Sequence, residues 1–318
     1  MDSMHLQSIS QLNETIESGK FTDLIASSES LHSVRISRMA ELIAARAPSV
    51  RLVLVAGPSA AGKTTTAMRL CKALGYNGIT AMRISTDDYF VGDSRNPRDA
   101  EGKLDYEHLD AVDRDRLSAD LMKIFSGTPL HRRKFDFTKH EGYDDPGVFT
   151  PEKNVVVLLE GIHALNPVLT EGVPDELKYR VYLNTLTQLV ADEGGWLYFE
   201  DTRLMRRIVR DKTYRDMSPE KTIIMWEKVS AGEMKWINPF RGYADFVFNT
   251  ALDYEIAVMK PVLEPVLKAV PYLGGRETSE IRRLLAVLEA VTPVTEISAI
   301  PRDSILRESV GGSVFDYA

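Results

Sequence analysis

Nine consecutive residues, Gly57-Pro58-Ser59-Ala60-Ala61-Gly62-Lys63-Thr64-Thr65, directly follow the apolar run Leu52-Val53-Leu54-Val55-Ala56 and precede a helix-forming stretch, residues 66–74. A glycine-bounded loop ending in Gly-Lys-Thr between a buried strand and a helix is the G-x-x-x-x-G-K-[ST] phosphate loop. Glycine at both ends lets the backbone turn tightly, so that successive N–H groups can surround phosphate oxygens. The helix that follows adds the positive end of its dipole. Lys63 can reach the β- and γ-phosphates, and the Thr64 hydroxyl can ligate Mg2+. The loop commits the chain to an α/β architecture and to a nucleoside triphosphate, with ATP and Mg2+ as the expected cofactors. What receives the phosphate has to come from elsewhere.

With 318 residues and 44% hydrophobic content, the chain can bury one large α/β core or two modest ones. The 46 acidic residues outnumber the 39 basic ones, for a net charge of −7, which argues against a general nucleic-acid or anionic-membrane binder. Residues 1–19 are polar and mixed in charge, unlike a signal peptide, and no run approaches the length needed to cross a bilayer. The single cysteine, Cys71, excludes an intramolecular disulfide, fits a reducing compartment and reads as an inert packed thiol. A cytoplasmic protein acting on a small molecule is expected, without nucleic-acid or membrane partners, and as a homo-oligomer.

Residues 6–47 read as helical, with Ile36, Met39, Ala40 and Ile43 on one apolar face and Pro48 as the stop. Further strand candidates are residues 80–85, 155–159, 179–183 and 246–248; those before residue 200 are separated by stretches that suit parallel crossovers. Residues 91–102 read as a long loop and residues 130–149 as a hairpin-like insertion. Helical patterns follow at residues 256–270, with Pro261 and Pro265 as breaks, and at residues 280–291. The expected fold is the three-layer α/β/α P-loop NTPase architecture: a mainly parallel five-stranded sheet, helical N- and C-terminal extensions and a small β-hairpin insertion. The boundaries fall at residues 1–48, 49–250 (lid about 200–217) and 251–318.

If the phosphoryl acceptor is a hydroxyl, a carboxylate should stand beyond the carboxyl end of a strand, where open α/β sheets bind ligands. Asp87, after the second strand, has that place, although paired Asp residues there can equally be turn formers. Glu160 ends the run at residues 155–160 in the Walker-B position, where an acid holds Mg2+; a purely structural strand end would look the same. From Asp201, a plausible N-cap, a helix carries Arg203, Arg206, Arg207 and Arg210 within an arc of about 100°. Leu204, Met205, Ile208 and Val209 lie opposite, with Lys212 and Arg215 just beyond. Few acids sit at i±4 within the helix, so a closing lid that supplies arginines to the transferring phosphoryl is preferred over a solvated face or an RNA-binding stripe.

Together these motifs resemble the uridine kinase and phosphoribulokinase branch of the P-loop kinases over roughly residues 52–250. Ser85-Thr86-Asp87-Asp88-Tyr89-Phe90 stands where the family has Ser-x-Asp-x-Phe/Tyr-Tyr. Glu107-His108-Leu109-Asp110-Ala111-Val112-Asp113 stands for Asp-His-Pro-Asp-Ala-Phe-Asp. Phe135-Asp136-Phe137-Thr138-Lys139-His140 matches Tyr-Asp-Phe-x-x-His, Glu160-Gly161-Ile162 matches Glu-Gly-Ile, and Asp-Thr-Arg-Leu-x-Arg-Arg-x-x-Arg-Asp is complete from Asp201 to Asp211. The flanking helices and the closing residues 304–313 resemble a bacterial-type uridine kinase-like subgroup. Its members often carry a further N-terminal domain, which this chain is expected to lack.

The resemblance implies Asp87 as general base for a ribose 5′-hydroxyl and Asp110 as acceptor for the ribose hydroxyls. It implies His140, Phe135 and Phe137 around the base, with Tyr89, Arg203 and Arg207 also on the substrate side. Thr64 and Glu160 would meet the metal, with Asp87 beside them. Lys63, Arg207 and Arg210 would serve catalysis, and Arg215 the nucleotide. Phe135 lacks the hydroxyl of the family's Tyr. Asp216 replaces the usual Gly, and Met217 a lid arginine. The expected activity is ATP-dependent phosphorylation of the 5′-hydroxyl of uridine or cytidine. A phosphoribulokinase-like or other sugar kinase is the alternative, and a regulatory ATPase without transfer the reading from another class.

Overall fold

The computed structural model describes residues 6–186, 189, 190 and 197–317. Strands β1 (Leu52–Ala56), β2 (Ala81–Ser85), β5 (Val156–Glu160), β6 (Lys178–Asn184) and β7 (Phe246–Asn249) form one sheet in the order β2-β5-β1-β6-β7, with every pairing parallel. β1 lies at its centre and all five of its residues are buried. Such a strand needs apolar side chains on both faces, as the unbroken run at residues 52–56 supplies. Leu52 and Leu54 point into a core shared with α4 (Arg114–Ser126). Val53 and Val55 point into a second core with α2 (Phe21–Ala44) and α3 (Lys63–Tyr76). Those two cores make the three layers. Strands β3 (Leu130–Asp136) and β4 (Glu141–Phe149) form the separate antiparallel hairpin.

The N-terminal helical stretch is two helices, α1 (Ile9–Glu17) and α2, because Gly19 turns the chain at φ +73 between them. A third core joins α1 and the start of α2 to α5 (Phe199–Tyr214), α6 (Pro219–Trp236), α7 (Glu255–Lys268) and α8 (Gly275–Glu289). α2 reaches into two cores: Leu24 and Ile25 pack with the helices, while Ile36, Met39 and Ile43 pack under the sheet. Polar contacts reinforce that bridge. The buried Tyr254 hydroxyl donates to Glu29 at 2.6 Å, Arg69 on α3 donates to Ser33 at 2.9 Å, and His32 is buried deeply enough to lower its pKa to about 3.

Pro261 and Pro265 do not break the C-terminal helix; α7 runs through both. A proline removes the bond to the carbonyl four residues back. For Pro261 that carbonyl belongs to Ala257, and it accepts instead from the Val294 N–H at 3.0 Å. The long-range partner offsets the local loss. Cys71 packs against the sheet core, and burial pushes its thiol up to about 12, as expected of an unreactive thiol. Among the described residues no helix is long and apolar enough to cross a membrane.

A shared third core should unfold with the sheet. Leu24→Ala and Leu284→Ala, at fully buried positions, should each cost about 2–5 kcal/mol in urea denaturation within a single transition. Separate transitions for the helices and the sheet would contradict this organisation.

Candidate active site

The carboxyl ends of β1, β2 and β5 converge, and each is followed by a functional segment. β1 leaves the sheet at Gly57, where a side-chain carbon would overlap the Leu183 carbonyl of β6. Gly62 closes the loop at φ +78 and α3 begins at Lys63. The Lys63 ammonium curls over the loop and donates to the Pro58 carbonyl at 3.0 Å. Burial lowers its pKa, while the charges of Glu160, Asp87 and Glu308 oppose that shift. A lysine so placed has its amino group aimed into the loop.

Glu160, at the end of β5, is 4% exposed. It accepts from the Thr64 hydroxyl at 3.1 Å and from Arg83 of β2 at 2.9 Å. Burial raises its pKa, the Asp87 charge adds to this, and Lys63 and Arg83 work against it. Gly161 follows because any side chain there would overlap Thr86. Thr64 and Glu160 are hard oxygen donors meeting at the phosphate loop. That set fits Mg2+, which takes one or two protein oxygens and completes its shell with phosphates and water.

Asp87 lies on a short 3-10 turn, Thr86–Tyr89, whose N-terminus is capped by Ser85. It acts electrostatically on Lys63, Glu160 and Glu107 at once, so it faces the same space as they do. Glu107 is the acidic residue that sequence reasoning quoted but left without a role. Burial raises its carboxyl to about 7, with Arg207 and Lys63 pulling the other way and Asp87 adding to the rise. Gly232, inside α6, leaves room for it, since a side-chain carbon there would stand 2.8 Å from Glu107 Cβ. The available signal was the motif itself, whose first acid stands at position 107.

Three predicted substrate-side residues are held by protein partners. Asp110 is 55% exposed at its side chain and pairs with Arg114, four residues on, at 3.0 Å. Tyr89 is buried and donates to Asp120 at 3.3 Å inside the core. Arg203 is fully buried, 2.8 Å from Glu233 of α6 and over the Trp226 ring. The aromatic group does assemble. Phe135 is buried between Phe90 and Phe137, with ring centroids 5.5 and 5.1 Å away, and Phe137 is 61% exposed. His140 stands at the hairpin turn with Nδ1 3.0 Å from the Tyr106 hydroxyl and 3.3 Å from Asp93; that hydroxyl also bonds Asp93.

The arginine helix departs from the expected open face. α5 begins at Phe199, so Asp201 is not the N-cap but the third helical residue; it accepts from the Tyr198 N–H at 2.8 Å and pairs with Arg283. Arg206 is locked inward on Glu255, at 2.5 Å, and on the Thr250 carbonyl, at 2.7 Å. Arg206 also reaches the Ala60 carbonyl of the phosphate loop at 3.4 Å and Arg203 the Ser59 carbonyl at 3.5 Å, and Arg207 and Arg210 lie beside the same loop. Arg207 donates to the Ser59 hydroxyl at 2.9 Å and to Asp211 at 3.2 Å; Arg210 holds Asp211 at 2.8 Å. Arg215 is exposed, 3.8 Å from the same carboxylate. The acids that appeared scarce are Asp211 within the helix and Glu233 and Glu255 from distant elements. Asp216 adopts φ +48, a left-handed position that suits Gly and that Asp tolerates.

A phosphate loop, an oxygen pair that fits Mg2+, a carboxylate facing both and arginines beside the loop define a phosphotransferase with a hydroxyl acceptor. Residues 52–257 match the Phosphoribulokinase / Uridine kinase family, and the chain belongs to it. The uridine kinase of Deinococcus deserti is 30% identical over 194 residues, covering 61% of this chain and 84% of that protein. The uridine kinase of Pasteurella multocida is 29% identical over 216 residues, 66% and 91% of the two chains. A solved structure described as a possible uridine kinase from Bacillus stearothermophilus aligns with 67% of this chain and 97% of its own, at 21% identity and a TM-score of 0.44.

The arginines should separate by role. Glu255→Ala leaves Arg206 buried without its partner and should cost about 3–5 kcal/mol in chemical denaturation. Arg207→Ala should remove phosphoryl transfer by about 100-fold or more while the denaturation midpoint moves far less. Equal loss of stability in both variants would contradict the division.

Proposed function

We propose that this chain transfers the γ-phosphoryl group of ATP to the 5′-hydroxyl of a pyrimidine nucleoside, uridine or cytidine. The observation that carries the reading is that Lys63, Asp87, Glu107 and Arg207 share one neighbourhood at the carboxyl end of the sheet. Close by stand Phe90, three residues from Asp87, and Tyr106, adjacent to Glu107, whose rings pack 5.2 Å apart in the aromatic group. The uridine kinases among its relatives support the same acceptor class.

In this reading the phosphate loop and Lys63 hold the triphosphate, and Asp87 accepts the proton of the attacking hydroxyl. Arg207 and Arg210 stabilise the charge on the transferring group. Thr64 and Glu160 would hold Mg2+, which would supply positive charge to offset that of the triphosphate. Glu107 takes the part first assigned to Asp110 and accepts the sugar hydroxyls, for which its carboxylate must be ionised. Phe135, Phe137 and His140 flank the base. Water exclusion matters because water would otherwise receive the phosphoryl.

The test is ADP formation with Mg-ATP against a panel of nucleosides, sugars and sugar phosphates. Uridine or cytidine should stimulate it, and Asp87→Asn should lower kcat by about 100- to 10,000-fold. Stimulation by sugars alone would overturn the nucleoside assignment.

Glu107 gives a second check. Its folded carboxyl holds the proton up to about 7, against 4.5 for an ordinary one. Across that window the folded state binds the extra proton, so stability falls as pH rises, by roughly 3 kcal/mol in all. Glu107→Gln should therefore melt higher than wild type at pH 8 yet bind the acceptor at least about tenfold less tightly. The fall in wild-type acceptor KM between about pH 6 and 8 should disappear in the variant. An unchanged acceptor KM would remove Glu107 from the site.

A further inference from the structure

After α8 the chain returns to the phosphate loop. Ile305 lies against Gly62, where a side-chain carbon would stand 2.6 Å from its Cγ2. Glu308, on the short helix α9 (Arg307–Val310), accepts from the Thr65 hydroxyl at 3.2 Å and stands 3.8 Å from Arg210. The Tyr317 hydroxyl is 3.0 Å from that of Thr65 and 3.0 Å from that of Ser313. Gly311 passes beneath the Tyr214 hydroxyl, and Phe315 lies under Lys72 of α3. The segment thus wedges between the phosphate-loop helix and the arginine helix.

Its position follows from the direction of transfer. Asp87, Glu107 and Arg207 occupy the acceptor side of Lys63. An in-line triphosphate must lead away from that side, with its inner phosphates and nucleoside toward Gly62 and Thr65. Glu308 stands on that path, and it contributes negative charge at Lys63 as well. Phosphate oxygens and this carboxylate need the same hydroxyl and guanidinium donors, and like charges at such range repel.

We propose that the C-terminal segment is a built-in competitor of the donor nucleotide: Glu308 holds Thr65 and Arg210 in place of phosphate, and nucleotide binding expels it. The proposal rests on the phosphate loop's binding a triphosphate and is independent of which hydroxyl is phosphorylated. The fold confines the movement. Arg307 is anchored to the Ile297 and Ile300 carbonyls, each at 2.7 Å, so the base of the segment stays in place. Beyond it Gly311 and Gly312 both take left-handed φ values, +90 and +75, and residues 313–317 are tied back by contacts that include Val314 N–H to the Arg302 carbonyl at 2.9 Å and the Tyr317 hydroxyl to Thr65 at 3.0 Å. The displaced part is the Glu308 side chain and the residues after Gly312.

The test uses the full-length chain. ATP binding is titrated calorimetrically for wild type, Glu308→Gln and Tyr317→Phe, and backbone hydrogen exchange is followed at Val314 with and without ATP. Glu308→Gln should bind ATP about five- to tenfold more tightly than wild type, Tyr317→Phe should shift the same way by less, and ATP should speed exchange at Val314. Equal or weaker ATP binding by Glu308→Gln overturns the proposal, because the carboxylate then supports the nucleotide site or is indifferent to it. Slower exchange at Val314 with ATP overturns it too. Nucleoside phosphorylation by wild type would stand under either result.

Discussion

The site depends on one close approach of backbone to backbone. At Gly57 the chain leaves the central strand against the Leu183 carbonyl, with no room for a side chain. That contact sets where the phosphate loop lifts from the sheet, and hence where Lys63 and Thr64 enter α3. The neighbouring strand β5 then delivers Glu160 to Thr64, and β2 delivers Arg83 to Glu160 and Asp87 just beyond. Because all these strands are parallel, their carboxyl ends lie at one edge, and the chemistry gathers there. The second glycine of this kind, Gly161, admits Thr86 and so brings the Asp87 turn alongside Glu160.

Features written in short-range pattern were legible in the sequence. The strand–loop–helix of residues 52–74 carried its own confirmation, and β2, β5, β6 and β7 begin and end within a residue or two of the positions that apolar runs suggested. The hairpin also lies where it was expected. Long-range partners were not legible. Arg203 and Arg206 looked like a free basic face because Glu233 and Glu255 lie on later helices. α7 looked broken because the N–H that satisfies Ala257 comes from Val294, 37 residues along. Asp110 and Glu107 sit in one motif, and only the path of α6 past Gly232 shows which carboxylate is turned inward.

The terminal segments belong to the same physical object as the sheet. α2 carries Leu24 into the helical core and Ile43 into the sheet core, and Arg69 on the phosphate-loop helix is 3.6 Å from Glu29. A movement of α3 is therefore felt by α2, and through Tyr254 by the start of α7. Residues 304–317 close the circuit by returning to Gly62 and Thr65.

Asp211 is fully buried, and its one carboxylate serves Arg207, Arg210 and Arg215. Three positive charges on two negatives, Asp211 and the Glu308 carboxylate 3.8 Å from Arg210, leave the cluster short of anion, and a phosphoryl group would supply what is missing. The three arginines are consequently one electrostatic unit. Removing any one hands a larger share of Asp211 to the other two and changes their reach toward the loop, so their contributions will not add. Substitutions at these positions act on one shared buried carboxylate rather than on three separate sites.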